Sequence, residues 1–237
     1  LERLRDDAGR LLHRWRDGEA AIPATAADHA CLAWGLIELY EATFEVRWLE
    51  RAAWLIEELE RRFGDDEGEG FFTSPAGATD LPVRQKEVYD GATPSANAVA
   101  WYVLLRLARL TGDPDLEARA AGLERAFAAA VGSAPAEHAM WLVALDLRLG
   151  PAHEVVVSGP TESDETRRLL DALRGRFLPR TAVLFRPTDL DTAALERLAP
   201  FVRPYAPDEG AAAAWVCTDF ACEAPTGDPR HMLSALA

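Results

Sequence analysis

The chain has 237 residues, 49% hydrophobic and 27% charged, enough to bury a sizeable core and to exclude a disordered tail or a disulfide-stapled miniprotein. Acids outnumber bases 39 to 25, a net charge of −14, split −10 in residues 1–150 and −4 in residues 151–237, so neither half offers a footprint for nucleic acid or an anionic membrane. No apolar run reaches the ~20 residues of a membrane span, three cysteines make no disulfide framework, and the expected setting is a reducing cytoplasm.

The chain opens on Leu1 with no basic, apolar leader, and is expected to be a processed chain, an expressed fragment or the product of a non-standard start. Residues 1–150 predict helices of two alternating kinds. Leu4, Ala8, Leu11 and Trp15 lie at helical spacing and predict a one-sided outer helix. Asp28 is placed as the N-cap of an inner helix that runs through Cys31 to Tyr40 with Glu38 as its only charge. A helix apolar nearly all round is buried. Trp48, Ala52, Leu55, Leu59 and Phe63 predict an outer helix, Ala98 to Leu105 an inner one, Leu116 to Val131 an outer one, and Met140 to Leu145 an inner one. Thr43–Ala52 aligns with Thr111–Ala120 at an offset of 68 residues. Repeated helical hairpins predict a solenoid or, since the inner helices are walled on both sides, part of a closed toroid. An irregular bundle is the plain alternative. In this reading strands are confined to residues after His153, apart from a rim hairpin pairing Phe71–Thr73 with Leu81–Arg84.

The outer-to-inner links, residues 16–27, 64–95 and 132–136, gather at one end with the N-termini of the inner helices. Long loops over positive helix ends are where a site is built. The acidic turn 65–69 lacks EF-hand spacing and reads as solvated carboxylates. From His153 the texture changes to β-branched runs. Val155–Val157, Thr181–Phe185 and Ala213–Val216 predict strands, with helices over 162–176 and 190–198 between them. That predicts a small α/β segment, 151–237, with a parallel sheet and a right-handed crossover.

The sharpest feature is the run Arg84 to Asn97. Lys86 is the only lysine; the other 24 basic residues are arginine. A compact ammonium is not replaceable by a guanidinium, so Lys86 reads either as functional or as the partner of a buried ion pair with Glu87 or Asp90. Ser95 and Asn97 read as capping residues one by one. The concentration of Arg84, Lys86, Glu87, Asp90, Ser95 and Asn97 on one rim suits a polyol ligand. Trp15 and Arg16 end the first predicted helix at that rim, Trp15 as stacking platform or core. His29 and His138 fall at inner-helix N-termini and suit acid–base work, or are structural. Cys217 and Cys222, with four residues between them, read as reduced packing thiols, with a reversible disulfide second. No cofactor and no metal site are expected.

Trp15–Gly18, Leu36–Phe44, Gly70–Phe72, Arg84–Asn97 and Cys217–Pro225 together resemble the thioredoxin-domain-containing YyaL-type family, related to spermatogenesis-associated proteins. The Lys86-Glu87-x-Tyr89-Asp90-Gly91 run with Pro94-Ser95-x-Asn97 is the specific part. The resemblance implies part of an (α/α)6 toroid similar to N-acylglucosamine 2-epimerase and six-hairpin glycosidases, preceded in the family by a thioredoxin-like domain. With half a ring, the open edge is expected to be covered by that domain or by a second subunit. The leading functional expectation is a carbohydrate-binding or carbohydrate-modifying toroid. Glu87, Asp90, Lys86 and His29 would do chemistry, and Arg84, Ser95, Asn97, Trp15 and Arg16 would hold the sugar. The alternative is a non-catalytic scaffold or redox-partner module with Cys217 and Cys222 as its responsive element.

Overall fold

The computed structural model describes residues 3–78, 82–208 and 210–236. The first predicted outer helix is instead an antiparallel hairpin, β1 (Leu12–Arg16) and β2 (Glu19–Pro23), in which Trp15 faces Ala20 and Arg16 faces Glu19. Asp17 and Gly18 make its two-residue turn, both with positive φ, 53° and 86°. An Asp-Gly pair tolerates those angles and matches the strand twist. Four of the five residues of β1 are exposed, so the strand has no buried stripe to betray its period. His13 holds the hairpin to the helical layer through the Asp28 carboxylate, 2.9 Å away.

Helical hairpins follow from residue 26 onward. Helices α1 (Ala26–Thr43), α3 (Ala96–Thr111) and α5 (Ala139–Leu149) form a row with α3 in the middle, while α2 (Val46–Phe63) lies against α1 and α4 (Pro114–Ser133) against α3. Of the three helices expected to be buried all round only α3 is; α1 and α5 bury one face each. Every residue of α3 from Asn97 to Ala108 is buried, as expected of a helix apolar all round. Outer α2 buries one face only: Leu49, Ala52, Leu55, Ile56, Leu59 and Phe63. The N-cap of α1 is Thr25 rather than Asp28. Asp28 sits three residues on and closes a capping box, accepting from the Thr25 amide at 2.7 Å.

The sequence repeat is a repeated corner. Thr43 Oγ1 donates to the Leu39 carbonyl (2.7 Å) and accepts from the Glu45 amide (3.3 Å). Thr111 does the same with Leu107 (2.8 Å) and Asp113 (3.2 Å). Each corner turns through a left-handed residue, Phe44 at φ 56° or Gly112 at φ 70°. At the flanks of the row, Leu39 on α1 and Leu142, Val143 and Leu149 on α5 are exposed.

After α5 comes a four-stranded sheet in the order β4–β3–β5–β6. β3 (His153–Gly159) runs parallel to β4 (Thr181–Pro187), with α6 (Asp164–Arg174) in the crossover. β5 (Ala213–Thr218) is antiparallel to β3, so the sheet is mixed rather than parallel. The strand pattern of β5 satisfies either direction, and the excursion through α7 (Ala193–Leu198) and a short 3-10 turn at 200–202 brings it back reversed. β6 (Ala221–Cys222) ends the sheet and α8 (Pro229–Ser234) follows. Among the described residues there are thus eight α-helices, covering about half the chain, and a small sheet.

Val155 and Val157 pack with Leu169 and Leu173 of α6 and Met232 of α8, whereas Val156, Ala182 and Leu184 join the main helical core. One face of the sheet therefore lies on the helices. An ion cluster built on the buried Arg106 guanidinium fastens that joint. Arg106 of α3 pairs with Glu38 at 3.2 Å and with Glu41, and Glu41 accepts the Val183 amide of edge strand β4 at 3.2 Å. Burial raises the Glu41 carboxyl above its ordinary range, against the opposing pull of Arg106.

Candidate functional site: the rim cleft

The long link from α2 to α3 is built around three fixtures. The first is Asn97, fully buried in the first turn of α3. Its amide donates to the carbonyls of Phe71 (2.9 Å) and Glu87 (2.8 Å), and its oxygen accepts the Phe71 amide (2.8 Å). One side chain thus pins the outgoing and returning arms of the loop, with all its hydrogen-bonding capacity spent inside the fold except one lone pair. The arms pair just past the expected segment Leu81–Arg84, Phe72 bridging Lys86 and the Thr73 amide donating to the Gln85 carbonyl. Leu81, the first residue of that expected segment, lies outside the described residues. Gly70 makes the approach possible: its φ is +85°, and a Cβ there would sit 2.8 Å from the Phe127 ring.

The second fixture is Lys86. It pairs with Asp65, not with Glu87 or Asp90, and also donates to the Glu69 carbonyl at 2.6 Å. The acidic turn 65–69 is therefore folded around an ammonium rather than simply solvated. A compact three-donor group suits that job. The hydrogen bond from Lys86 holds the Asp65 carboxyl below its ordinary range. Lys86 and Arg84 both lie over the Phe72 ring, at 4.9 and 3.9 Å, and Arg84 donates to the Ser74 carbonyl.

The third is Asp90. One carboxylate oxygen accepts the Ser95 amide (2.8 Å) at the start of α3, the other the Met140 amide (2.7 Å) at the start of α5. Asp90 thus caps two inner helices at once. Ser95 is itself the N-cap of α3, accepting from the Ala98 amide.

Beside these fixtures lies a cleft of about 420 Å³ between the N-termini of α1 and α3. Glu87, Tyr89, Thr73 and Thr93 line it, together with Thr25–Ala27 and Ser95–Ala96. The first-turn amides at those helix starts have no partner within their own helices. Glu87 and Tyr89 are exposed and Val88 between them is buried, so the segment alternates as an extended chain does. That alternation is the signal that could have added Tyr89 to the expected residues.

The other expected site residues lie elsewhere. His29 is fully buried against Phe63, with Nδ1 2.7 Å from the Thr25 carbonyl and no hydrogen-bond partner at Nε2. Burial lowers its pKa below the ordinary 6.5 despite that hydrogen bond. His138 stands at the N-cap of α5, bonded to the Ala134 carbonyl and edge-on to Tyr89. Trp15 is 44% exposed on β1 with the Arg3 guanidinium over its ring, and Arg16 pairs with Asp17; neither is among the cleft residues. Cys217 and Cys222 are joined as a disulfide rather than held as reduced packing thiols. Among the described residues no group of three or more His, Cys, Asp or Glu side chains gathers as a metal would require, and no helix is long and apolar enough to cross a membrane.

The chain is similar to spermatogenesis-associated protein 20. Identity to the Homo sapiens protein is 32% over 210 residues, 88% of this chain and 27% of that protein. Identity to the Rattus norvegicus protein is 33% over 210 residues, 88% of this chain and 26% of that one. An uncharacterized protein of Caenorhabditis elegans is 28% identical over 215 residues. The chain spans about a quarter of the length of these curated relatives. No protein-family model matches it.

Proposed function

We propose that the rim cleft binds a small, sugar-like polyol, in a helical layer that forms part of an (α/α) toroid. The single observation behind this reading is the composition of the cleft wall. One carboxylate, one phenol, three threonines (Thr25, Thr73 and Thr93, of which Thr25 and Thr73 already donate to Asp28 and to the Gln85 carbonyl) and the starts of α1 and α3 line a concave space between two inner-helix N-termini. Carboxylate and hydroxyl groups accept and donate to neighbouring sugar hydroxyls, and the Tyr89 ring offers an apolar face. Among the described lining residues Glu87 is the only acid. A single carboxylate supports binding and proton transfer of the isomerase kind; it does not make the carboxylate pair that glycoside hydrolysis uses. The repeated corners and the row α1–α3–α5 support the toroid, and the exposed Leu39, Leu142, Val143 and Leu149 are the edges where this reading places further helices, a thioredoxin-like domain or a second subunit.

A thermal-shift screen against mono- and disaccharides tests the proposal. At least one sugar should raise the melting temperature of the native chain, and Glu87→Gln and Tyr89→Ala should each abolish that rise while keeping the unliganded melting temperature. No shift with any sugar, or a shift indifferent to both substitutions, refutes it.

A further inference from the structure

Independently of the rim cleft, we propose that Cys217 and Cys222 form a thiol–disulfide exchange site that takes two electrons from a dithiol, with Cys222 as the reacting sulfur. The two residues face each other across β5 and β6, the disulfide joining positions five apart in sequence. Asp219 and Phe220, both at positive φ (49° and 63°), make the turn between them. A cross-link that closes so short a loop constrains the unfolded chain little.

The hairpin is held by other contacts. The Phe220 amide donates to the buried Glu154 carboxylate at 2.9 Å, and Arg109 of α3 bridges Glu154 (3.0 Å) and Asp219 (2.7 Å). Beyond the disulfide, the Glu223 amide donates to Val216 and Thr226 exchanges two hydrogen bonds with Ala214. None of these contacts involves a sulfur, so the hairpin is expected to keep its geometry when the sulfur–sulfur bond opens.

The two sulfurs are unequal. Cys222 is exposed, whereas Cys217 is 1% exposed on the sheet face that meets the helices, opposite Glu154 in the ladder. A thiolate can approach only the outer sulfur. That sulfur also has a built partner: Tyr205, from the segment before β5, places its hydroxyl 2.9 Å from Cys222 Sγ. A hydroxyl donor stabilises a thiolate more than a thiol or a disulfide, so Tyr205 favours Cys222 as the nucleophile of the reduced pair.

The exchange balances as follows. One thiolate of the dithiol attacks Cys222 Sγ, forming a mixed disulfide and releasing Cys217 as a thiolate that takes up a proton. The second thiolate of the dithiol attacks its own sulfur in the mixed disulfide, releasing Cys222. The dithiol leaves as a disulfide, having delivered two electrons and two protons, and an external disulfide reverses the sequence.

The test uses the whole chain carrying Cys31→Ser, since Cys31 is an exposed free thiol. The protein is equilibrated with mixtures of reduced and oxidised dithiothreitol, acid-quenched, alkylated and weighed intact, with circular dichroism on the same samples. The expected result is reversible interconversion of species with no free thiol and two free thiols, with the dichroism unchanged. Single-cysteine variants then separate the sulfurs. With Cys217→Ser, Cys222 should react with an aromatic disulfide reagent faster than Cys217 does with Cys222→Ser, on the order of tenfold, and adding Tyr205→Phe should slow Cys222 several-fold. A bond that opens only where the dichroism reports unfolding, a pair that stays reduced even in excess oxidised glutathione, or equal rates for the two sulfurs would overturn the assignment.

Discussion

Asn97→Ala isolates what makes the rim. The substitution removes three hydrogen bonds of 2.8–2.9 Å from a fully buried position and leaves one backbone amide and two carbonyls without their partner. At about 1 kcal/mol net per bond, with more for groups that stay dry, the loss is about 3–4 kcal/mol. For a chain of this size each kcal/mol shifts the melting temperature by about 2–4 °C, so the drop should be about 6–16 °C. Urea unfolding followed by circular dichroism measures it as a lower midpoint at unchanged slope. Asn97→Asp keeps the acceptor for Phe71 but turns a second oxygen towards two carbonyls, and should be no better at neutral pH. A cost below about 1 kcal/mol for Asn97→Ala would mean that the arms of the loop are positioned by something else, and the description of the clasp would fail.

Three further outcomes follow from the same structure. Gly70→Ala, forced to φ +85° with its Cβ 2.8 Å from Phe127, should cost about 2–3 kcal/mol by denaturant titration, and a neutral result would contradict the close approach. Lys86→Arg should lower stability by about 1 kcal/mol, because a guanidinium does not reproduce the compact contact with Asp65 and the Glu69 carbonyl, while leaving any sugar-induced thermal shift intact; a selective loss of that shift would instead place Lys86 in the site. His29 has a pKa below 6.5 in the folded chain, chiefly from burial, so the folded state binds its proton less readily than the unfolded state does. Its contribution is intact above about 6.5 and is lost as pH falls from there through the depressed folded value. His29→Leu should flatten that limb of the stability profile, and an unchanged limb would show that His29 titrates normally.

What was legible in the sequence was whatever local chemistry decides. The all-round apolar pattern placed α3, Ser95 read correctly as a helix start, and the Thr43 and Thr111 alignment marked two corners with matching hydrogen bonds. The hairpin β1–β2 was not legible by periodicity, since an exposed ribbon has no buried face, although Asp17-Gly18 is a turn signal in its own right. Lys86 was recognised as needing a carboxylate, but its partner is Asp65, which only the fold of the loop brings within reach. The direction of β5 was hidden because strand composition is indifferent to it. Asp90 suits chemistry, an ion pair or capping equally in sequence, because a carboxylate near two helix starts looks the same whether it caps them or faces a ligand.

The measurement that bears most directly on the cleft is hydrogen–deuterium exchange with and without the sugar that gives the largest thermal shift. A ligand seated between the two inner-helix starts must slow exchange in the segments 25–28 and 93–98 together, and substitution Glu87→Gln must remove both effects. Protection confined to one segment, or appearing elsewhere with these two unchanged, would contradict the placement of the site.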